Sequence, residues 1–339
     1  MKKSIRFSFS FLIVCFLLVF AGCSALSAPQ KNVCIVNWNA QCFFDATTEG
    51  PEYKEFKKNQ KWNKTAYEVR LERLCAAIKK MKADIYVLEE IENQAVLVDI
   101  SNRLQDCSWN QAKGWNYATF CKNPGDSIGC AVISRLPILS VTVHNLDIKT
   151  EKSRQPAMRP IMKTIVQTGD ESLTILVNHW KSKSGGAQES ETWRNWQEAL
   201  LSNLFEESLS QNEKIIACGD FNRDIEEFFR DGNDIILRKK GEIAFKSDSN
   251  ADDFSRGDGV RLKNPWIKED GNFVFPGSYY FRERFERIDH FFVPENICLL
   301  QFAPQLGEWA SEEGIPKRYE IFSGQGFSDH LPVMCVIKI

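Results

Sequence analysis

The sequence predicts an α/β fold, and two observations carry that expectation. Apolar runs of about four to seven residues, strand-like in length, alternate with amphipathic helix-length stretches from Val33 to Ile339. Four of these runs end on polar side chains and two others begin on them. That pattern is expected when buried strands deliver their reactive groups to one rim of a sheet assembly.

The first segment stands apart from the fold. "MKKSIR" is basic, and the apolar stretch Phe7–Ala21, about 15 residues, is shorter than the roughly 20 needed to span a bilayer. Residues 1–22 therefore read as an export signal. The segment closes on "VFAGCSA", which is similar to a bacterial lipoprotein cleavage site. The expectation is a lipidated Cys23 attaching an exported chain to a membrane through a short tether over residues 23–32. Phe20 stands where an aliphatic residue is usual, so secretion to the periplasm or beyond, with cleavage before Pro29, is the alternative.

Removing Lys2, Lys3 and Arg6 with the signal moves the formal charge from −2 to −5. Such a chain has no general attraction for polyanions, and binding one requires a local basic groove or a metal. The eleven cysteines include no C-x-x-C pair, which argues against a zinc site. Cys34, Cys130, Cys218 and Cys335 lie in apolar runs and read as small core residues. Cys107 and Cys121 flank an aromatic loop as a candidate disulfide.

Residues 33–339 read as one domain. "KTAYEVRLERLCAAIKKMK" sets Val69, Leu71, Leu74, Ala77, Ile78 and Met81 on a helical stripe. "ESETWRNWQEALLSNLFEESL" is a second helix, opening on acids that suit its positive end. The strands "VCIVNWN", "DIYVLEE", "LTILVNH" and "KIIACGDFN" end at Asn39, Glu90, His179 and the pair Asp220/Asn222. If the backbone stays extended past Asp220, alternation aims Asp220 and Asn222 the same way. "ERIDHFFV" and "GFSDHLPVMCVIKI" reverse the order, with Asp289, Asp329 and His330 leading apolar runs. Residues 223–275, charged and rich in Gly and Asp, read as surface loops with short elements. His144 is expected to be structural, and His290, out of phase with Asp289, to pack.

The rim then holds acids, amides and two histidines. No G-x-S-x-G nucleophile elbow occurs, and "KSKSGG" has the wrong order for a Walker A loop. Oxygen ligands without thiolates favour a hard divalent cation, Mg²⁺ first, with Mn²⁺ or Ca²⁺ as alternatives. A hard cation beside two histidines suits hydrolysis of a phosphate ester, where charge builds on phosphoryl and leaving oxygens.

Six blocks, in order from Val33 to the C-terminus, resemble the endonuclease/exonuclease/phosphatase superfamily, and exported bacterial members in particular. They are "NWN", "VLEEIEN", "VNHWKSK", "GDFN", "RIDHFFV" and "SDHLPV". Each is weak alone; their shared order is the signal. The resemblance implies a four-layer α/β sandwich of two packed mixed β-sheets flanked by helices. It also implies that Asn39, Glu90 and Asp329 hold a divalent cation. His330 would accept a proton from water, oriented by Asp289. Asp220 would position or help deprotonate that water, Asn222 would hydrogen-bond the phosphoryl group, and His179 would stabilise phosphate charge or protonate the leaving oxygen. Arg159 and Lys181 are candidate substrate contacts.

The function expected from the resemblance is an exported, metal-dependent phosphodiesterase, foremost a monomeric nuclease acting on extracellular DNA or RNA. A phosphatase or sphingomyelinase-type phospholipase C of the same superfamily is the alternative within enzymes. A surface lipoprotein without catalysis is the alternative of another class.

Overall fold

The computed structural model describes residues 32–105, 115–148, 155–239 and 259–339, with the backbone of 108–109 and 112–113. The export signal, Cys23, the tether and Cys107 lie outside these residues. Lys31–Ile339 forms one compact unit.

Eleven strands build two sheets. In chain order they are β1 (Asn32–Phe43), β2 (Ile85–Ile91), β3 (Tyr117–Cys121), β4 (Gly129–Ser134), β5 (Ile138–His144) and β6 (Ile161–Gln167). Then follow β7 (Ser172–His179), β8 (Ile215–Asp220), β9 (Asp289–Phe292), β10 (Cys298–Pro304) and β11 (Val333–Lys338). The first sheet runs β10-β11-β1-β2-β4-β3 and the second β9-β8-β7-β6-β5. Each is mixed, because β1 pairs with β2 and β7 with β8 in parallel while their outer neighbours are antiparallel. Helices α1 (Lys64–Met81) and α2 (Gln94–Leu104) cover the first sheet, and α3 (Ala187–Ser210) covers the second. The four-layer sandwich is the architecture the sequence implied.

Alternation explains the layers. Val33, Ile35, Val87 and Val132 point between the sheets to meet Ile216 and Cys218, while Trp38, Tyr86 and Leu88 point outward under α1 and α2. Each fully buried aliphatic side chain contributes roughly 1.5–3 kcal/mol by leaving water. Cys130, Cys218 and Cys335 are buried as expected, but Cys34 is only half-buried, at the margin of the outer core.

Three local expectations are corrected. Val69 is half exposed; the buried stripe of α1 instead runs through Tyr67, Arg70, Leu71, Leu74, Cys75, Ile78 and Met81. Helix α2 was not anticipated, although Asn93 caps it by accepting from the Val96 N–H and Val96, Leu97, Ile100 and Leu104 share its buried face. Residues 223–275 are more than surface loops: Ile225, Phe228, Ile235, Leu237, Leu262 and Trp266 are buried in the second sheet's core. There, Asp234–Arg238 and Gly259–Lys263 pair as strands against α3.

Candidate active site

Strand register assembles the rim. In the second sheet Asp220, the last residue of β8, lies opposite His179 of β7 on one side and Asp289 of β9 on the other. In the first sheet Asn39 of β1 lies opposite Glu89 of β2. Because the sheets pack face to face, these ends open into one cleft with a cavity of about 1170 Å³.

Glu90 reaches that cleft because strand β2 bulges. Glu89 and Ile91 keep their partners on β4, but Glu90 is skipped and adopts a left-handed backbone at φ 62. Glu89 therefore turns into the inter-sheet core, where it is fully buried, while Glu90 faces the cleft. The end of β1 deforms to match, with Gln41 at φ 52 and Cys42 at φ 48. Among the described residues, five of the eight non-glycine residues at positive φ (Gln41, Cys42, Glu90, Asn222 and Arg282) line this cleft, so strain is concentrated there.

Asn39 ties the two sheets together. Its Nδ2 donates to Glu90 Oε1 at 3.2 Å and to Asp220 Oδ2 at 2.9 Å, and its Oδ1 accepts from the Gln41 N–H. Glu90 Oε2 accepts from the Cys42 N–H at 2.6 Å and from the Cys42 thiol at 3.0 Å. His179 Nε2 stands 3.6 Å from Asp220 Oδ2 and 3.8 Å from Glu90 Oε1. His330 Nδ1 donates to Asp289 Oδ2 at 2.8 Å, which leaves Nε2 as the edge free to work in the cleft.

The extended geometry assumed for "GDFN" does not persist. Asn222 adopts φ 48, its N–H donates to Asp220 Oδ1, and its Nδ2 donates to the Trp180 carbonyl at 3.2 Å. A side-chain-to-backbone turn, not strand alternation, brings both residues to the cleft. Gly219 is required just before it. At φ 145, a Cβ there would sit 1.9 Å from the Asn178 carbonyl oxygen.

Electrostatics divides the two histidines. Burial pushes the His179 imidazole well below its usual value, and the nearby Arg159 and His330 charges add to the effect. Burial works the same way on His330, but Asp289, by charge and hydrogen bond, and then Asp220 and Asp329, hold its imidazolium well above the usual range. The two rings are thus pushed in opposite directions, His330 toward the imidazolium and His179 toward the neutral imidazole. Asp220 is pushed up to about 7, chiefly by burial, against the lowering pull of His330 and with Asp289 adding to the rise. Burial also raises Asp329, and Glu90 adds to that rise.

Of the ten residues the sequence singled out, eight line the cleft: Glu90, His179, Asp220, Asn222, Asp329 and His330, with Arg159 and Lys181 on its wall. Asn39 and Asp289 lie immediately behind, bonded to Glu90 and His330. His290 points away and packs on Phe221 and Phe228, with its ring held by Asn264 and the Arg223 carbonyl.

Sequence reasoning missed two supports, Arg70 and Arg223, and left Tyr279 between pocket lining and aromatic core. Arg70, fully buried, donates to the carbonyls of Ala40, Gln41 and Cys42 and lies 3.8 Å over the Tyr319 ring. Helical spacing places it on the buried stripe; only its charge argued for the surface. Arg223, next to Asn222, pairs with Glu198 and Glu191 of α3 and so fastens the "GDFN" turn to that helix. Tyr279 packs on the His330 ring at 4.8 Å.

The donor set fits a hard cation. Glu90 is close enough to Asp329 to help raise it, and both face the cleft. Among the described residues no three His, Cys, Asp or Glu side chains form a closed metal cage. Magnesium commonly takes one or two carboxylates, filling its shell with water and substrate phosphate, so an open pair suits it. Asn39 presents its amide nitrogen, not its oxygen, to the carboxylates, so here it spaces the acids.

Comparison with known proteins agrees with this architecture. A D. rerio TDP2 structure complexed with single strand DNA product matches with TM-score 0.55 and 13% identity, over 91% of this chain and 100% of that one. The human Nocturnin catalytic domain with bound sulfate anion matches with TM-score 0.51 and 17% identity, over 90% and 94%. ANGEL2, a 2′,3′-cyclic phosphatase, in complex with adenosine-2′,3′-vanadate, matches with TM-score 0.56 and 13% identity, over 91% and 96%. At these identities the likeness is one of fold. No curated protein sequence matches. The model of one family does match, over residues 34–232, and on that match the chain belongs to the endonuclease/exonuclease/phosphatase family.

Proposed function

We infer that this family member, a hydrolase of phosphate esters, is a metal-dependent phosphodiesterase whose foremost substrate is nucleic acid. The observation that carries the reading is the register-built row His179–Asp220–Asp289, with His330 bonded to Asp289 and the Glu90/Asp329 pair across the same cleft. A cavity near 1170 Å³ exceeds a usual small-molecule site and suits a polymer. Arg159 and Lys181 on its walls are candidate phosphate contacts, among the acids Glu55, Asp126, Glu286 and Glu320, so a polyanion needs the cation as well as these two side chains.

The residues divide the work by position. His330, its ring fixed through Nδ1, presents Nε2 to a phosphoryl or leaving oxygen. Asp220, held between His179 and Asp289 by register and bonded by Asn39, positions water and takes its proton. Asn222 and His179 stand at the edge where phosphoryl oxygens bind. A divalent cation on Glu90 and Asp329, Mg²⁺ foremost, would neutralise phosphate charge as it develops. Export to the cell surface, expected from residues 1–23, makes extracellular DNA or RNA the natural substrate.

The test is to incubate purified protein, with Mg²⁺ or with chelator, against DNA, RNA, sphingomyelin and inositol polyphosphates, beside His179→Ala. Metal-dependent cleavage of nucleic acid that the variant loses is the expected result. Cleavage of sphingomyelin or of inositol phosphates alone would replace the nuclease reading, and inertness on every substrate would remove it.

A further inference from the structure

Two aromatic side chains on the mouth of the cleft have no role in the chemistry above. Phe281 is 45% exposed and Phe322 is 67% exposed, yet both line the same cavity as His179 and His330. A single exposed ring is ordinary, but two on the walls of one cleft are a candidate ligand contact.

Both are presented on rigid supports. Phe281 ends a short hairpin in which Tyr279–Phe281 pairs with Arg284–Glu286. The two turn residues, Arg282 and Glu283, adopt φ 48 and 64, a conformation normally left to Asn and Gly. The ring continues a ladder from the catalytic centre: Tyr279 packs on His330, Phe281 stacks on Tyr279 at 6.2 Å and 21°, and Arg282 lies 5.1 Å from the Phe281 ring centre. Phe322 sits on a turn closed by the Gly324 N–H on the Glu320 carbonyl. Lys61 donates to the Phe322 carbonyl, and Arg73 donates to those of Gly324 and Gly326.

We propose that Phe281 and Phe322 form a base-stacking site for single-stranded nucleic acid, seating the bases that flank the scissile phosphate. This rests on reading the site as a nuclease. A partly exposed ring continuous with a phosphate-processing centre, with the cationic Arg282 against it, matches a strand whose bases are splayed and whose backbone is anionic. In a duplex the base faces are already stacked and unavailable. A lipid would use the aromatic rings without needing a ladder leading to His330.

The experiment compares Mg²⁺-dependent kcat/KM on a 16-nucleotide thymidine strand, its duplex with the complementary strand, and a strand of equal length carrying abasic residues. It uses the wild-type chain, Phe281→Ala and Phe322→Ala. Stacking is worth about 1–3 kcal/mol per base, so each variant should lose on the order of tenfold on the thymidine strand and nothing on the abasic one. The wild type should prefer the single strand to the duplex. Unchanged cleavage of the thymidine strand by both variants would overturn the site. So would an equal fall on the abasic strand, which would mean the rings are structural, or equal cleavage of duplex and single strand. If the variants instead lose binding to sphingomyelin vesicles while cutting the thymidine strand normally, the rings serve a lipid surface and the proposal fails. A wild type that cuts neither strand would refute the nuclease reading itself, a result distinct from all of these.

Discussion

His330 and Asp289, 41 residues apart, are joined by a hydrogen bond of 2.8 Å in which Nδ1 donates to Oδ2, and the pair is almost wholly buried. Asp289 thereby fixes both the orientation of the ring and the nitrogen it offers to the cleft. Replacing Asp289 by Asn keeps the volume and removes the charge. Asp289→Asn should lower kcat by about 10²–10⁴-fold with little change in KM, checked by steady-state kinetics on a phosphodiester substrate. An unchanged kcat would detach the pair from the chemistry.

Glu90 and Asp329 stand apart from that proton-handling pair. Glu90→Gln should leave the fold intact and raise the Mg²⁺ concentration for half-maximal activity by roughly tenfold or more, because one of two anionic ligands is lost. Calorimetric titration of the folded protein with Mg²⁺ provides a readout independent of turnover. Equal metal affinity in wild type and variant would contradict the assignment.

Gly219→Ala tests the close approach of β8 to β7. The added methyl would meet the Asn178 carbonyl oxygen at 1.9 Å, on a backbone at φ 145 that side chains rarely adopt. The strands must separate or the turn must rebuild, costing about 3 kcal/mol or more. Urea unfolding midpoints measure it, and a loss below 1 kcal/mol would show that the strands yield easily.

His290 makes stability depend on pH. Burial lowers its pKa from 6.5 to about 4, against the raising effect of its bond to the Arg223 carbonyl and of Asp224 and Asp289. Below pH 6.5 the unfolded chain takes up a proton that the native chain refuses. This contribution to stability is therefore complete above pH 6.5 and is lost as pH falls toward 4, by roughly 3 kcal/mol. His290→Gln should show a shallower acid decline than wild type in denaturant titrations at pH 7 and 4.5. Parallel declines would rule the histidine out.

Arg70 supports the strained turn beneath Glu90. Arg70→Leu removes a donor shared by three carbonyls while leaving an apolar side chain in place. The Cys42 carbonyl keeps the Phe44 N–H, so the cost, about 2 kcal/mol, falls on the Ala40 and Gln41 acceptors. Because Cys42 and Gln41 hold Glu90 and Asn39, the variant should also weaken Mg²⁺ binding. A stability loss with unaltered metal affinity would confine Arg70 to packing.

Much of this site was legible because its chemistry is carried by short blocks at strand ends. Asp220, His179 and Asp289 could be read as rim residues from strand patterns alone, and the family resemblance supplied their roles. The bulge at Glu90 was not legible, since nothing in "LEEIEN" says which of two adjacent glutamates leaves the ladder. That Asp220 and Asn222 share the site was legible, but the means was not: Asp220 captures the Asn222 N–H in a turn, where alternation had required an extended chain. Arg70 and Arg223 went unseen because a charged residue reads as surface until its carbonyls or carboxylates are in view.

By itself the sequence determined the α/β class, the order of the principal strands, the family and the residue types at the rim. The class and the strand order are local properties, fixed by periodicity and by what a buried strand can end on, while the family was carried by the shared order of six short blocks. Only the tertiary structure decided that Asn39 joins Glu90 to Asp220, that burial and Asp289 push His179 and His330 in opposite directions, and that Phe281 and Phe322 line the same cleft. Those outcomes depend on contacts between segments far apart in the chain, and on burial, which sets the strength of every charge interaction in the site.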